Sequence, residues 1–316
     1  MLAPEQAIDA INRRFGRHAG YRALHAKGTL TRGTFTATPE ARALTRAAHM
    51  QDQPVEVTVR VSNGSGDPDS PDYAQDVRGM AAKFYLPDGS RTDIVAQTAV
   101  RFPVRTPEAF IELVLANAPD VSRLWKFPLF LAKHPEALSS LRSGVEATKP
   151  PPSYAACHFY AIHSFRWVDA NGGSRYVRYR WVPEASDEGI SAGEAKKRGR
   201  DYLQEEIAER LSRGPVRYTL ELAVARDDDP VDDPTVGWPG DREIVNAGTL
   251  ELTELETGRE TGGDVLVFDP TRVTDGIELS DDPILRYRSP AYSASVERRS
   301  GQPRPAEADP ASSSSP

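Results

Sequence analysis

Residues 55–62 read VEVTVRVS, and their alternation sets the fold class. Val55, Val57, Val59 and Val61 share one face of an extended chain, while Glu56, Thr58, Arg60 and Ser62 share the other. Whatever cavity Arg60 lines, Ser62 lines too. Six more stretches have strand character: AKFYL at 82–86, TDIVAQT at 92–98, HFYAIHSFRWV at 158–168, SRYVRYRWV at 174–182, VRYTLELAVA at 216–225 and GTLELTEL at 248–255. With an opening strand inside YRALHAKGTLTRGTF at 21–35, they make about eight, in two groups of four. Between the groups Thr106 caps a helix whose first residue is Pro107 and whose face is Phe110, Leu113 and Val114. A second helix is expected between later strands, opened by a capping box of Ser191 and Glu194 and carrying Leu203, Ile207 and Leu211 as a stripe that stops before Gly214. The N-terminal segment places Ala7, Ile8, Ile11 and Phe15 at helical spacing. Strands dominate and no β-α unit repeats. The pattern predicts an α+β fold, a large antiparallel barrel of about eight strands with inserted and flanking helices.

Composition removes several function classes. The chain has 316 residues, 39% of them hydrophobic, and a net charge of -7, as expected of a soluble globular protein with little attraction for nucleic acid. No stretch approaches the roughly 20 apolar residues of a membrane span, and the start lacks a secretory apolar run, so a cytoplasmic location is expected. The single cysteine, Cys157, excludes an internal disulfide and cysteine-based metal clusters. Beyond Arg299 the chain is rich in Pro, Ser and Ala without apolar periodicity, which predicts a disordered tail at 300–316. No composition break divides 1–299, which is read as a single domain.

Five segments, in order, resemble the haem catalases: Arg22-Ala-Leu-His25 with Gly28, Val59-Arg60-Val-Ser62, Asp76-Val-Arg78-Gly79 running on to Tyr85, Phe268-Asp-Pro-Thr271, and Arg288-Ser-Pro-Ala-Tyr292. The resemblance spans nearly the whole chain before the tail. It implies a haem b whose iron is held by Tyr292, a role tyrosine fills in catalase. It further implies His25 as the distal histidine, Ser62 as that histidine's hydrogen-bond partner, and Arg22, Arg60 and Arg299 as anchors for the haem propionates. Arg288 would be the partner of the phenolate, with His163 behind it, and Asp76 would be a carboxylate in the substrate channel.

Elementary chemistry suits these assignments. Tyrosine ionises near pH 10 in water, so a phenolate ligand needs a cation beside it. An arginine four residues earlier on a helix lies on the same face. A neutral imidazole can move a peroxide's proton from its inner to its outer oxygen, letting the bond break heterolytically. Arg22 and His25, three apart, would face opposite ways on a flat strand, so a bend or a difference in depth is expected between them. Tyr287 competes with Tyr292 for the ligand role, and the Arg-x-x-x-Tyr spacing favours Tyr292.

Three departures shape the functional reading. Where catalases carry a distal asparagine, this chain has Val95-Ala-Gln97-Thr98, and Thr98 falls at that position unless a local shift puts Gln97 there. Pro290 lies between Arg288 and Tyr292, where a kink is expected. The chain is short for a catalase, which implies an accessible haem. Together they point to the compact catalase-related peroxidase branch: reduction of hydrogen peroxide, or of small organic hydroperoxides, by small organic reductants, with weak catalase activity. Leu24 stands where hydroperoxide lyases and allene oxide synthases of this type carry threonine, against that branch. The alternative from another class is a non-catalytic barrel that binds or senses haem or lipid. Family analogy implies a homodimer. The acidic run at Asp227, Asp228, Asp229, Asp232 and Asp233 lacks the pattern of a calcium loop and is read as solvated.

Overall fold

The computed structural model describes residues 2–118, 120–185, 189–257 and 266–300. Of the tail expected to be disordered, residues 301–316 lie outside them, and Ser300 ends a helix. Ten strands form one antiparallel sheet: β1 (Gly28–Ala37), β2 (Val55–Asn63), β3 (Arg78–Tyr85), β4 (Arg91–Gln97), β5 (Phe159–Tyr160), β6 (Phe165–Val168), β7 (Ser174–Pro183), β8 (Val216–Val224), β9 (Ile244–Leu255) and β10 (Ile277–Leu279). Pairing runs β1-β2-β3-β4-β5-β7-β8-β9 and returns from β9 to β1, closing a barrel of eight strands. Closure removes the exposed edges that an open sheet would present.

The stretch at 158–168 forms two short strands instead of one. β5 and β6 pair with different halves of β7, and residues 161–164 leave the ladder between them. This break frees His163 from the sheet. β10 adds outside β6, a strand the sequence reading did not anticipate.

Val57, Val59 and Val61 are fully buried inside the barrel with Phe35, Phe84, Trp181 and Leu220. The other face of β2 therefore lies outside the barrel, yet Thr58, Arg60 and Ser62 are buried as well. A second layer covers them. It contains α1 (Pro4–Phe15), α3 (Pro107–Ala116), α4 (Arg123–Lys133), α5 (Ala137–Ala147) and α8 (Pro283–Ser300). Ala7, Ile8 and Ile11 of α1 pack on Ile111 of α3 and Ala294 of α8, so the N-terminal amphipathic face closes against the last helix. Arg298 and Asp9 join the same two helices at 3.0 Å.

The helix signals are met. Thr106 accepts from the Ala109 N–H, and Ser191 and Glu194 cap reciprocally. The one helix expected between the capping box and Gly214 is two: the capping box opens α6 (Ala192–Arg198), which ends at Gly199 with φ at +113°, and the stripe belongs to α7 (Tyr202–Arg213); α2 (Pro39–Leu44) is a single short element after β1. α8 contains Pro290, and Arg288 and Tyr292 lie one helical turn apart in it. The acidic loop is only partly solvated: Asp229 is buried against Arg242 at 2.7 Å, and Asp233 pairs with Arg105 at 2.8 Å.

Candidate active site

A cavity of about 650 Å³ lies between the outer face of β2, β3 and β4 and helices α1, α3, α5 and α8. Strand register defines its floor. Ser62 pairs with Gly79 and Gly79 with Gln97, so these three form one row across the strands; Arg60, Ala81 and Val95 form the next. Residues directly opposite in antiparallel strands point the same way. Beside them the segment at 266–273 is strapped down: Asp93 accepts from Lys83 Nζ at 2.5 Å, Arg272 Nη1 at 2.8 Å and the Asp269 N–H at 2.8 Å. The strap brings Leu266 and Phe268 to the cavity wall.

His25 stands over the first row. It precedes β1 and is the one non-glycine residue with positive φ among the described residues, at +55°. That left-handed backbone is the bend needed to turn His25 away from the direction set by Arg22, and such strain persists only where surroundings enforce it. Here the enforcing bonds are visible. The His25 N–H donates to Gly64 O at 3.0 Å, and Arg60 donates Nη1 to His25 O at 2.9 Å and Nη2 to Ala26 O at 3.0 Å. The ring places Nδ1 3.1 Å from Ser62 Oγ. A β-carbon on Gly79 would lie 2.7 Å from Nδ1, so only glycine leaves room for the imidazole. Burial, then the charges of Arg60, Arg288 and Arg22, push the His25 pKa down to about 3, and the ring is neutral at ordinary pH.

The opposite wall carries a four-residue chain. Arg288 donates Nη1 to Tyr292 Oη at 3.0 Å and Nε to His163 Nε2 at 3.0 Å. His163 must then carry its proton on Nδ1, which faces Asp282 Oδ2 at 2.6 Å. Burial lowers the His163 pKa to about 4, in keeping with a neutral ring that accepts from the guanidinium. Asp282 also accepts from the Ile284 and Leu285 N–H groups, so one carboxylate starts α8 and orients His163. Tyr287 lines the same cavity in a different setting. Its hydroxyl is buried without a hydrogen-bond partner among the described residues, and burial with the charges of Glu108 and Glu5 raises its pKa.

The cavity lining brings together His25, Ser62, Arg22, Arg60, Arg288, Tyr292 and Arg299. His163 sits immediately behind Arg288. Thr98 is not brought in. Its hydroxyl donates to Ala147 O at 2.8 Å and accepts from the Arg78 N–H at 3.0 Å, while Gln97 lines the cavity. Asp76 is likewise occupied beneath the site, accepting from the Ser65 N–H at 2.7 Å in the turn that holds His25. Asp282 and the clamp from Arg60 to the His25 carbonyl escaped the sequence reading. Asp282 before Pro283 carries a helix-start signal, but nothing local in sequence ties it to His163.

Six arginines line the cavity, namely Arg14, Arg22, Arg60, Arg101, Arg288 and Arg299, and no Asp or Glu does among the described residues. The remaining walls are largely apolar. No cluster of three or more His, Cys, Asp or Glu that could hold a metal occurs among the described residues, and no helix among them is long and apolar enough to cross a membrane. The arrangement suits an anionic, largely apolar ligand held between a tyrosine and a neutral histidine.

Comparison with known proteins agrees. The catalase family model matches residues 3–304. A catalase-related peroxidase of Mycolicibacterium paratuberculosis is 48% identical over 98% of this chain and 98% of its own length. A catalase-related peroxidase of Synechococcus elongatus is 31% identical, covering 94% of this chain and 89% of its own length. Among solved structures, a fungal catalase superposes with a TM-score of 0.81 at 23% identity, over 94% of this chain and 62% of that one.

Proposed function

The chain belongs to the catalase family, and from that premise we propose that it is a haem peroxidase that reduces hydrogen peroxide, or a small organic hydroperoxide, with electrons from small organic donors. The cofactor is haem b, one per chain, and residues 1–299 act as a single haem-binding domain. The protein works in the cytoplasm as a homodimer, with dismutation of peroxide as a weak side reaction.

The observation that carries the reading is the pairing of two opposed sets across one cavity: His25 with Ser62 on the barrel floor, and Tyr292 with Arg288, His163 and Asp282 on the helix wall. The donor set fits a haem. Tyr292 offers a phenolic oxygen already bonded by a guanidinium, and Arg22, Arg60 and Arg299 offer positive charge for two propionates. The apolar walls suit a porphyrin face. Bound there, haem supplies a redox-active iron at which a peroxide bond can be cleaved and two oxidising equivalents held.

The protein's own groups then have defined work. The guanidinium of Arg288 favours the phenolate form of Tyr292, and His163 with Asp282 fixes that guanidinium in place. With Nδ1–H donated to Ser62 Oγ, His25 keeps Nε2 as an acceptor, so it takes the inner proton of a peroxide and returns it to the outer oxygen. Its low basicity keeps the acceptor free of bulk protons down to acidic pH. Gln97, in the same row as Ser62, offers two amide donors to a bound peroxide. It takes the part assigned to Thr98, whose hydroxyl is spent on backbone.

The test is an optical spectrum of the purified protein with and without peroxide, followed by oxidation of a phenol. A Soret band that changes on peroxide addition and returns with the phenol is expected. A protein without a Soret band would overturn the haem assignment. A band inert to peroxide would leave the binding barrel as the function.

A further inference from the structure

Arg101 stands apart from the other cations of the cavity. It follows the end of β4, whereas Arg22 and Arg60 belong to the β1–β2 side, so the width of the floor separates them. Among the described residues no hydrogen bond or ion pair reaches its guanidinium, and its Nε is buried without a partner. Only that nitrogen is enclosed; the residue as a whole is half-buried and lines the cavity, so an anion entering there can complete its fork. In the loop at 226–242, which carries Gly237, Asp233 is taken by Arg105 and Thr235.

The surroundings are shaped around the fork. A β-carbon on Gly237 would lie 2.8 Å from Arg101 Nε and 3.0 Å from Nη2, so the glycine lets backbone lie flat against the guanidinium and fix its plane. Next along the wall, Phe102 and Phe110 pack with centroids 5.1 Å apart and ring planes tilted by 37°, and both line the cavity. A planar cation with open donors thus adjoins an aromatic wall. Arginine in a fixed plane matches a carboxylate with two parallel hydrogen bonds.

We propose that Arg101, backed by Gly237 and flanked by Phe102 and Phe110, is a subsite for the carboxylate of an aromatic carboxylic acid, the class of organic donor this cavity admits. The inference rests on the peroxidase reading and adds its substrate class. Arg22 and Arg60, two of the propionate anchors, belong to the β1–β2 side of the floor, whereas Arg101 follows β4. No bond changes at this subsite; it orients the donor by its carboxylate.

The experiment is calorimetric titration of the haem-loaded protein with benzoate, which cannot itself serve as a phenolic donor, and with benzamide, its neutral isostere. Wild type should bind benzoate more tightly than benzamide. Arg101→Met should weaken benzoate by roughly ten- to a hundredfold, the range of a charge-assisted pair, and leave benzamide unchanged. Gly237→Ala, which keeps the charge but displaces the fork, should weaken benzoate as well, and Arg101→Lys should recover part of the loss. Benzoate affinity that is absent, or indifferent to both substitutions, overturns the subsite. Purified protein that takes up no haem would instead overturn the peroxidase reading, an outcome visible in the spectrum before any titration.

Discussion

Gly79→Ala tests the distal geometry with one carbon. The new β-carbon would lie 2.7 Å from His25 Nδ1, 2.8 Å from Cε1 and 3.0 Å from Ser62 Oγ, where ordinary contact begins at 3.4 Å, so the ring must retreat by about 0.7 Å. The strand cannot yield easily, because Gly79 is paired with Ser62 on one side and Gln97 on the other. Nor can the His25 backbone, held by Gly64 and by both arms of the Arg60 clamp. The imidazole therefore rotates and gives up its bond to Ser62. The lost hydrogen bond costs about 1 kcal/mol and the overpacking about 1–3 kcal/mol, so the fold survives in a typical domain. Catalysis suffers more, because a misplacement near 1 Å costs roughly a hundredfold in rate. Stopped-flow measurement of the peroxide reaction at equal haem content is the assay, with Ser62→Ala as the variant that removes the bond without the clash. Gly79→Ala should be the slower of the two by at least about tenfold. A rate within a fewfold of wild type would refute the role of a positioned His25.

Three further outcomes are expected. Tyr292→Phe should lose or weaken haem and abolish the phenolate charge-transfer features, while Tyr287→Phe should leave them in place; the reverse pattern in the optical spectrum would move the ligand to Tyr287. Gln97→Asn should raise oxygen evolution relative to phenol oxidation, since the shorter amide leaves more room for a second peroxide, whereas Thr98→Val should leave that ratio alone and cost stability of about 1–3 kcal/mol through two orphaned backbone groups; a ratio governed by Thr98 would contradict the placement of its hydroxyl. His49, buried against Phe84 with its pKa lowered to about 3 by burial alone, is neutral in the fold and charged in the acidic unfolded chain, so its stabilisation is present above pH 6.5 and lost as pH falls toward 3. Between pH 7.5 and pH 5 that loss is about 2 kcal/mol, and His49→Phe should show correspondingly less acid destabilisation in denaturant melts; an unchanged pH slope would rule His49 out as its source.

The fold was legible wherever one face of an element is apolar. The alternation at 55–62 showed the valine side, and the caps at Thr106 and Ser191 and the stripe ending at Gly214 marked helices. It was not legible where tertiary contacts override a continuous pattern. HFYAIHSFRWV has the composition of one strand, but His163 is drawn out of the ladder to meet Arg288 and Asp282, more than a hundred residues further on in the chain. The same limit applies at the site. Arg288 and Tyr292 could be paired from sequence because a helix fixes their spacing. Gln97 and Thr98 could not be separated, because the choice depends on register, and register is set by which residue pairs with Gly79.

The barrel explains why the distal group is built as it is. A strand can aim Arg60 and Ser62 outward at a spacing of two residues, but it cannot deliver a third side chain above its own neighbours. His25 supplies that third group from outside the sheet, and the left-handed turn that makes this geometry available is unfavourable by itself. Arg60 resolves the conflict by using two of its donors on the carbonyls of His25 and Ala26, so the residue read from sequence as a cofactor anchor is also the brace of the histidine. Its charge then contributes to keeping the imidazole neutral. One guanidinium thereby fixes the position of the proposed acid-base group and adds to the burial that keeps it neutral. Lysine at position 60, with a single nitrogen at the end of a flexible stem, could preserve the charge but could not hold the two carbonyls in the same fixed fork.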